Sequence, residues 1–197
     1  MSRAQCPRCE RPASHCLCAL IPHLHNRTRV LLLQHPSEAG HALNTARLAA
    51  LGLANAELRI GEDFSDLDLS GVDAWLLFPG EQALVLDALA ARPAPQPRLL
   101  VVPDGTWRKA RKLLHLNPNL AALPRVVLPA GLQSRYRLRK APAEGALSTI
   151  EAVAHALNAL DAPHTFDELL RPFDALIDRQ IAAMGADTYQ RNHGPRG

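Results

Sequence analysis

Apolar residues along this chain gather into short unbroken runs at 30–33, 74–78, 99–102 and 125–128, the last opening on Arg125. Runs this short are brief for a buried helix and suit strands covered on both faces. Residues 57–60 give a weaker strand signal. Elsewhere the apolar positions recur at helical spacing, over 42–51, 81–91 and 106–114. Two longer amphipathic stretches follow, 148–160 and 166–184. Strands alternating with helices predict βαβ units, and so an α/β fold built on a parallel sheet with helices on both faces. The segment Arg92-Pro-Ala-Pro-Gln-Pro97 reads as a connector into the third run rather than a domain boundary, and the chain shows no internal repeat.

The N-terminal end departs from this pattern. It has almost no large apolar side chain before Leu17, so it cannot build a core of its own. All four cysteines lie here, as Cys6-Pro-Arg-Cys9 and Cys16-Leu-Cys18. The expected division is a small knuckle and linker over 1–27, one α/β domain over 28–190, and a polar, flexible tail over 191–197.

The 197 residues carry 22 Lys and Arg against 19 Asp and Glu, with 47% hydrophobic and 21% charged residues. That profile is globular and excludes a disordered chain or a coiled coil. No run approaches the roughly 18 apolar residues of a membrane span, so no membrane partner is expected. Residues 1–9 are polar and lack a signal core, which points to a cytoplasmic, reducing location. Disulfides rarely persist there, so four clustered thiolates read as a tetrahedral zinc site, with two disulfides or a disordered, unmetallated end as the alternatives. His15, His23 and His25 lie nearby and are not needed as ligands. Only three of the basic residues are lysine: Lys109, Lys112 and Lys140. Arginine's fork grips phosphate oxygens in pairs. Codon bias gives the same enrichment, so the charge is compatible with nucleic acid and says no more.

In an open parallel sheet, ligands bind beyond the carboxyl ends of the strands. The four strong runs are followed by Gln34-His35-Pro36-Ser37-Glu38, by Pro79-Gly80-Glu81, by Pro103-Asp104-Gly105-Thr106-Trp107 and by residues 129–137. In a parallel sheet these loops share one edge. Asp104 leaves a buried strand just before a helix start, so it can serve as general base, helix cap or ligand anchor. Thr106 can likewise be only an N-cap, and Trp107 can simply pack the first turn. Arg108, Arg111 and Lys112 share a helix face. Arg135, Arg137, Arg139 and Lys140 form a second basic cluster around Tyr136. Two such clusters beside one pocket suit a phosphodiester backbone, or are two solvated faces. Ser148 and Glu151 fit the Ser-x-x-Glu capping box. A helix start there also offers free N–H groups to a carboxylate or phosphate.

These residues, in this order, resemble the bacterial DTW-domain tRNA-uridine aminocarboxypropyltransferases. The family's D-x-T-W motif is here Asp104-Gly105-Thr106-Trp107. The likeness extends over nearly the whole chain, through both cysteine pairs, His35-Pro36-x-Glu38, Leu43-Asn44-Thr45, Phe78-Pro79-Gly80, Ser134-x-Tyr136-x-Leu138-Arg139 and Leu147-Ser148-Thr149-Ile150-Glu151-Ala152. The resemblance implies a SPOUT-related fold with a C-terminal trefoil knot and a small N-terminal zinc knuckle. It implies S-adenosylmethionine as co-substrate and tRNA as partner. The 3-amino-3-carboxypropyl group would move to N3 of a tRNA uridine, at position 47 in bacterial members, giving acp3U and 5′-methylthioadenosine. On this reading Asp104 is the catalytic base, and Pro79, Gly80, Thr106, Trp107, Ser148 and Thr149 hold the cofactor. Arg108, Arg111, Lys112, Arg137, Arg139 and Lys140 hold the RNA. Cys6, Cys9, Cys16 and Cys18 hold a structural Zn2+. Two rivals share these residues: a SPOUT-type S-adenosylmethionine-dependent RNA methyltransferase, and a non-enzymatic zinc-knuckle RNA-binding module.

Overall fold

A computed structural model describes residues 4–137, 147–185, 188, 189 and 191. Its centre is one six-stranded sheet: β1 (Arg29–Gln34), β2 (Ala56–Ile60), β3 (Asp73–Leu77), β4 (Leu84–Val85), β5 (Arg98–Asp104) and β6 (Arg125–Val127). Every pairing is parallel, in the order β2-β1-β5-β3-β6-β4. The helices are α1 (Pro36–Ala39), α2 (Ala46–Gly52), α3 (Leu86–Ala90), α4 (Trp107–Leu116), α5 (Pro118–Ala121), α6 (Thr149–Leu160) and α7 (Arg171–Met184).

The period of two along each strand splits its apolar residues between two cores. Val30, Leu32, Leu100 and Val102 face one core, under α2, α3, α6 and α7. Leu31, Leu33, Leu99 and Val101 face the other, under α4 and α5. Each of these aliphatic side chains, almost wholly buried, is worth about 1.5–3 kcal/mol relative to exposure. That double burial is why the sequence shows unbroken apolar runs instead of alternation.

Two departures from the sequence expectation concern the sheet. The stretch 81–91 is not one helix. Residues 84–85 add a short edge strand to β6, pairing Leu84 with Val126 and Val85 with Val127, and only Leu86–Ala90 is helical. The unpaired edge of β6 outweighs the local helical spacing. Strand β5 also runs to Asp104 rather than ending at 102, because its register with β1 continues through Leu33↔Pro103 and Gln34↔Asp104.

The N-terminal knuckle docks on the α/β domain. Leu17, 1% exposed, belongs to the larger core. The expected linker at 22–27 is held in place: Leu24 bridges Leu53, and the buried Asn26 amide donates to the carbonyls of Thr28 and Asn55. The implied trefoil knot turns on the path of the chain before α6, and residues 138–146 of that path lie outside the described residues. So do Arg139, Lys140 and the expected tail at 192–197. Among the described residues no helix is long and apolar enough to cross a membrane.

Candidate active site

Because β1, β5, β3 and β6 are parallel neighbours, the four polar loops converge on one sheet edge. There the loops after β3 and β5, with the end of β6 and the start of α6, line a cavity of about 290 Å³. Phe78, Pro79, Thr106, Trp107 and Thr149 line it, over an apolar floor from the ends of β3, β5 and β6. Of the six residues expected at the cofactor, four therefore share this wall. Gly80 lines an adjoining cavity instead. Ser148 lies behind the wall, buried, with its hydroxyl donating to Glu151 at 2.6 Å.

Asp104 sits just below this wall. Its neighbours Pro103 and Gly105 line the cavity, while Asp104 itself is buried, 9% exposed. One carboxylate oxygen, Oδ2, accepts from Gln34 Nε2 at 2.7 Å, and the other accepts from the Thr149 hydroxyl. Burial raises the Asp104 pKa; the bonds from Gln34 and Thr149 oppose that, and the nearby Glu38 charge adds to it. Gly105 follows at φ +154°, a conformation that side chains rarely adopt, and turns the chain into α4. Thr106 caps that helix, its hydroxyl accepting from the Lys109 N–H at 3.4 Å. Trp107 is 49% exposed, with its ring against the Phe78 ring at 5.5 Å.

Local spacing says little about the groups that hold this arrangement. Asn44 and Gln34 exchange hydrogen bonds between their side-chain amides at 3.1 and 3.2 Å. Arg11 of the knuckle reaches the same segment, donating to the carbonyl of Ala42 at 2.5 Å and of Asn44 at 2.7 Å. A chain of hydrogen bonds thus runs from the knuckle through Arg11, Asn44 and Gln34 to Asp104. Burial lowers the Arg11 pKa, and the neighbouring Cys9 sulfur opposes that. Lys109 pairs with Glu38 at 2.6 Å. Glu151, 1% exposed, accepts from the Ser148 N–H at 2.8 Å, from the Arg135 N–H at 2.6 Å and from the Ser134 hydroxyl, so it ties the loop after β6 to the start of α6. The capping-box spacing pointed to the first of these bonds only.

The basic residues separate. Arg108 and Arg111 are exposed and, among the described residues, have no ion-pair partner. Lys112 pairs with Glu62 at 2.8 Å, Arg135 pairs with Asp174 at 3.1 Å, and Arg137 pairs with Asp178. These pairs are half exposed and so are weakly held.

The four cysteine sulfurs lie within 4.8 Å of one another. Cys6 and Cys18 are 3.6 Å apart, and Cys9 and Cys16 are 3.8 Å apart. Tetrahedral zinc with Zn–S bonds of about 2.3 Å requires sulfurs about 3.8 Å apart, so the cage fits. Backbone N–H groups of Cys9 and Arg8 draw the Cys6 thiol down to about 6. Desolvation and sharing with the other sulfurs push Cys18 up to about 12. A cation at the centre would resolve this competition for protons. The cavity fits a nucleoside donor by the same kind of test, with an aromatic wall, an apolar floor and the first turn of α6 opening onto it.

Comparison with known proteins follows the same line. The family model described as DTW domain matches residues 3–181. The tRNA-uridine aminocarboxypropyltransferase 2 of Macaca fascicularis is 34% identical over 191 residues, covering 91% of this chain and 64% of the relative. The protein of the same name from Drosophila melanogaster is 32% identical over 192 residues, 91% of this chain and 76% of the relative. The tRNA-uridine aminocarboxypropyltransferase A of Arabidopsis thaliana is 28% identical over 193 residues, 81% of this chain and 73% of the relative. The chain thus spans a little under two thirds of the macaque protein's length. No solved structure matches it. With the motif at the sheet edge and the match running almost end to end, the chain belongs to the DTW domain family.

Proposed function

We propose that this protein is a tRNA-uridine aminocarboxypropyltransferase, moving the 3-amino-3-carboxypropyl group of S-adenosylmethionine to N3 of a tRNA uridine. The observation that carries the reading is the buried Asp104, joined to a nucleoside-sized pocket through Thr149. The names of the relatives support the same reaction. Position 47 as the target, the SPOUT kinship with its knot, the zinc in the cysteine cage, the division at residue 27 and a cytoplasmic setting are parts of the same proposal.

Bound S-adenosylmethionine supplies an electrophilic carbon on a sulfonium that departs as 5′-methylthioadenosine. The protein must choose which of three carbons on sulfur faces the uridine, and it does so by placement. Pro79, Thr106 and Trp107 hold the nucleoside side, with Gly80 beside them at the adjoining cavity, and Thr149, with the free N–H groups opening α6, holds the amino-acid end. Ser148 serves that end from behind, by fixing Glu151. Uridine N3 carries a proton and is a weak nucleophile at neutral pH. As the N–C bond forms, that proton passes to the Thr149 hydroxyl, whose own hydrogen moves to Asp104. A carboxylate whose pKa is raised by burial is a better acceptor than one in water. Arg108, Arg111, Lys112 and Arg137, with Arg139 and Lys140, draw the RNA backbone to this edge.

The test is nucleoside mass spectrometry of tRNA incubated with the protein and S-adenosylmethionine. The expected products are acp3U and methylthioadenosine. Methylated uridine with S-adenosylhomocysteine, or RNA binding without any product, overturns the reading.

A further inference from the structure

Phe78, Pro79 and Trp107 line two cavities, not one. The first is the pocket beside Thr149. The second, of about 560 Å³, is also lined by Gly80, Arg111, His115 and Arg125. Trp107, Arg111 and His115 stand four residues apart on α4, so they form one stripe about 12 Å long at 1.5 Å per residue. The Arg125 guanidinium lies 5.8 Å over the Phe78 ring and donates to the Pro79 carbonyl at 2.8 Å. A Cβ at position 80 would come within 2.7 Å of Arg125 Cδ, so glycine is what lets the guanidinium lie there. No carboxylate lines this groove, and among the described residues neither Arg111 nor Arg125 has an ion-pair partner. A half-exposed indole bordered by arginines, without a compensating acid, suits the base and phosphate of a single-stranded nucleotide.

We propose that this groove is an RNA subsite for the nucleotide next to the modified uridine, its base stacked on Trp107 and its phosphate held by Arg111 and Arg125. The proposal rests on the tRNA reading above. A uridine turned out of its stack into the first pocket leaves its neighbour at the pocket mouth, and Trp107 stands in both walls. The groove thereby makes the enzyme sensitive to a flanking nucleotide.

The chain has two tryptophans, and Trp75 is buried, 7% exposed, so an emission change on adding RNA reports Trp107. The probe is a five-nucleotide single-stranded RNA with a central uridine, alongside intact tRNA. The RNA should quench the emission. An abasic nucleotide on one side of the uridine should remove most of the quench and weaken binding about tenfold. Arg125→Gln should weaken binding several-fold and flatten the slope of log affinity against log salt by about one, and Arg125→Lys should restore the slope. Calorimetric binding of S-adenosylmethionine without RNA, and the melting temperature, should hold in both variants. If abasic substitution on either side leaves the quench intact and Arg125→Gln leaves the salt slope intact, the subsite is refuted. Wild-type protein that still makes acp3U in that case limits the failure to the subsite. Wild-type protein that binds neither RNA overturns the subsite and the tRNA reading together.

Discussion

The cysteine knuckle and the sheet-edge pocket both gather polar groups around a guest, but they draw on sequence over very different ranges. The knuckle collects four sulfurs from residues 6–18. Behind the pocket wall, Gln34, Asp104 and Thr149 are joined, and they meet only because β1 and β5 are parallel neighbours and α6 returns to their ends. Local spacing is enough to recognise the first; the second exists only once the sheet order is set. The two are coupled through Arg11, which leaves the knuckle beside Cys9 and holds the segment carrying Asn44. The knuckle is thus part of what supports the site.

The sharpest way to separate the two regions is Asp104→Asn. Turnover should fall by about 10²–10⁴, read in single turnover on saturating tRNA. The effect on the fold should depend on pH. A carboxyl whose pKa is raised on folding contributes stability below its unfolded value, and that contribution is lost as pH rises through the folded value. Asn does not titrate, so the stability difference between the two proteins should move in favour of the variant as pH rises through the folded value. Thr149→Ser should keep turnover within a few-fold while Thr149→Val loses most of it. Equal losses in the two would remove the hydroxyl from the proton path.

Stripping the knuckle tests the coupling, with a smaller expected effect. Cys9→Ser, or a chelator at equilibrium, should release about one zinc per chain, measured by elemental mass spectrometry. The sheet carries its own two cores, so the main melting transition should persist. Activity should nonetheless fall by about 10–100-fold, because Arg11 loses its support. Unchanged activity in metal-free, folded protein would cut the knuckle off from the site. Metal uptake should also release protons, since Cys18 holds its hydrogen up to about 12 without a metal.

The two ranges also explain what could be read from the chain. Unbroken runs such as 99–102 announced strands buried on both faces, and the loops after them announced the edge where the site lies. The 84–85 strand was hidden because its pairing partner, β6, lies about 40 residues further along the chain. Gln34 reads from the sequence only as part of a loop, because nothing local says that it lies opposite Asp104 in the β1–β5 register. Thr149 was legible as a polar group at a helix start, but its bond to Asp104 spans 45 residues. Glu151 showed its bond to the Ser148 backbone through the capping-box spacing and concealed its hold on Ser134 and Arg135.

Gln34→Ala tests that hidden register, and its effect should be smaller again. It removes the donor to Asp104 Oδ2, one of the two bonds that oppose the upward push of burial, so the Asp104 pKa rises further. The acid limb of the pH–rate profile should move to higher pH, with a loss of only a few-fold well above it, where the carboxylate is ionised in both proteins. A limb that stays in place would mean that Gln34 does not set the acidity of Asp104.

The smallest effects belong to the outer charges, and they settle whether the basic clusters serve the fold or the RNA. Arg137 and Lys112 sit in half-exposed pairs with Asp178 and Glu62. Such exposed pairs contribute little, so Arg137→Ala and Lys112→Ala should leave the melting temperature nearly unchanged. If each side chain also meets a phosphate, each variant should flatten the salt dependence of tRNA affinity by about one in the log–log slope. The partners make the sign informative. Asp178→Asn frees Arg137 from its carboxylate and should tighten tRNA binding slightly, whereas a purely structural pair would leave RNA affinity where it was. Tighter binding in Asp178→Asn together with weaker binding in Arg137→Ala, at constant melting temperature, assigns the pair to the RNA face. A melting temperature that falls in both, with RNA affinity flat, returns it to the fold.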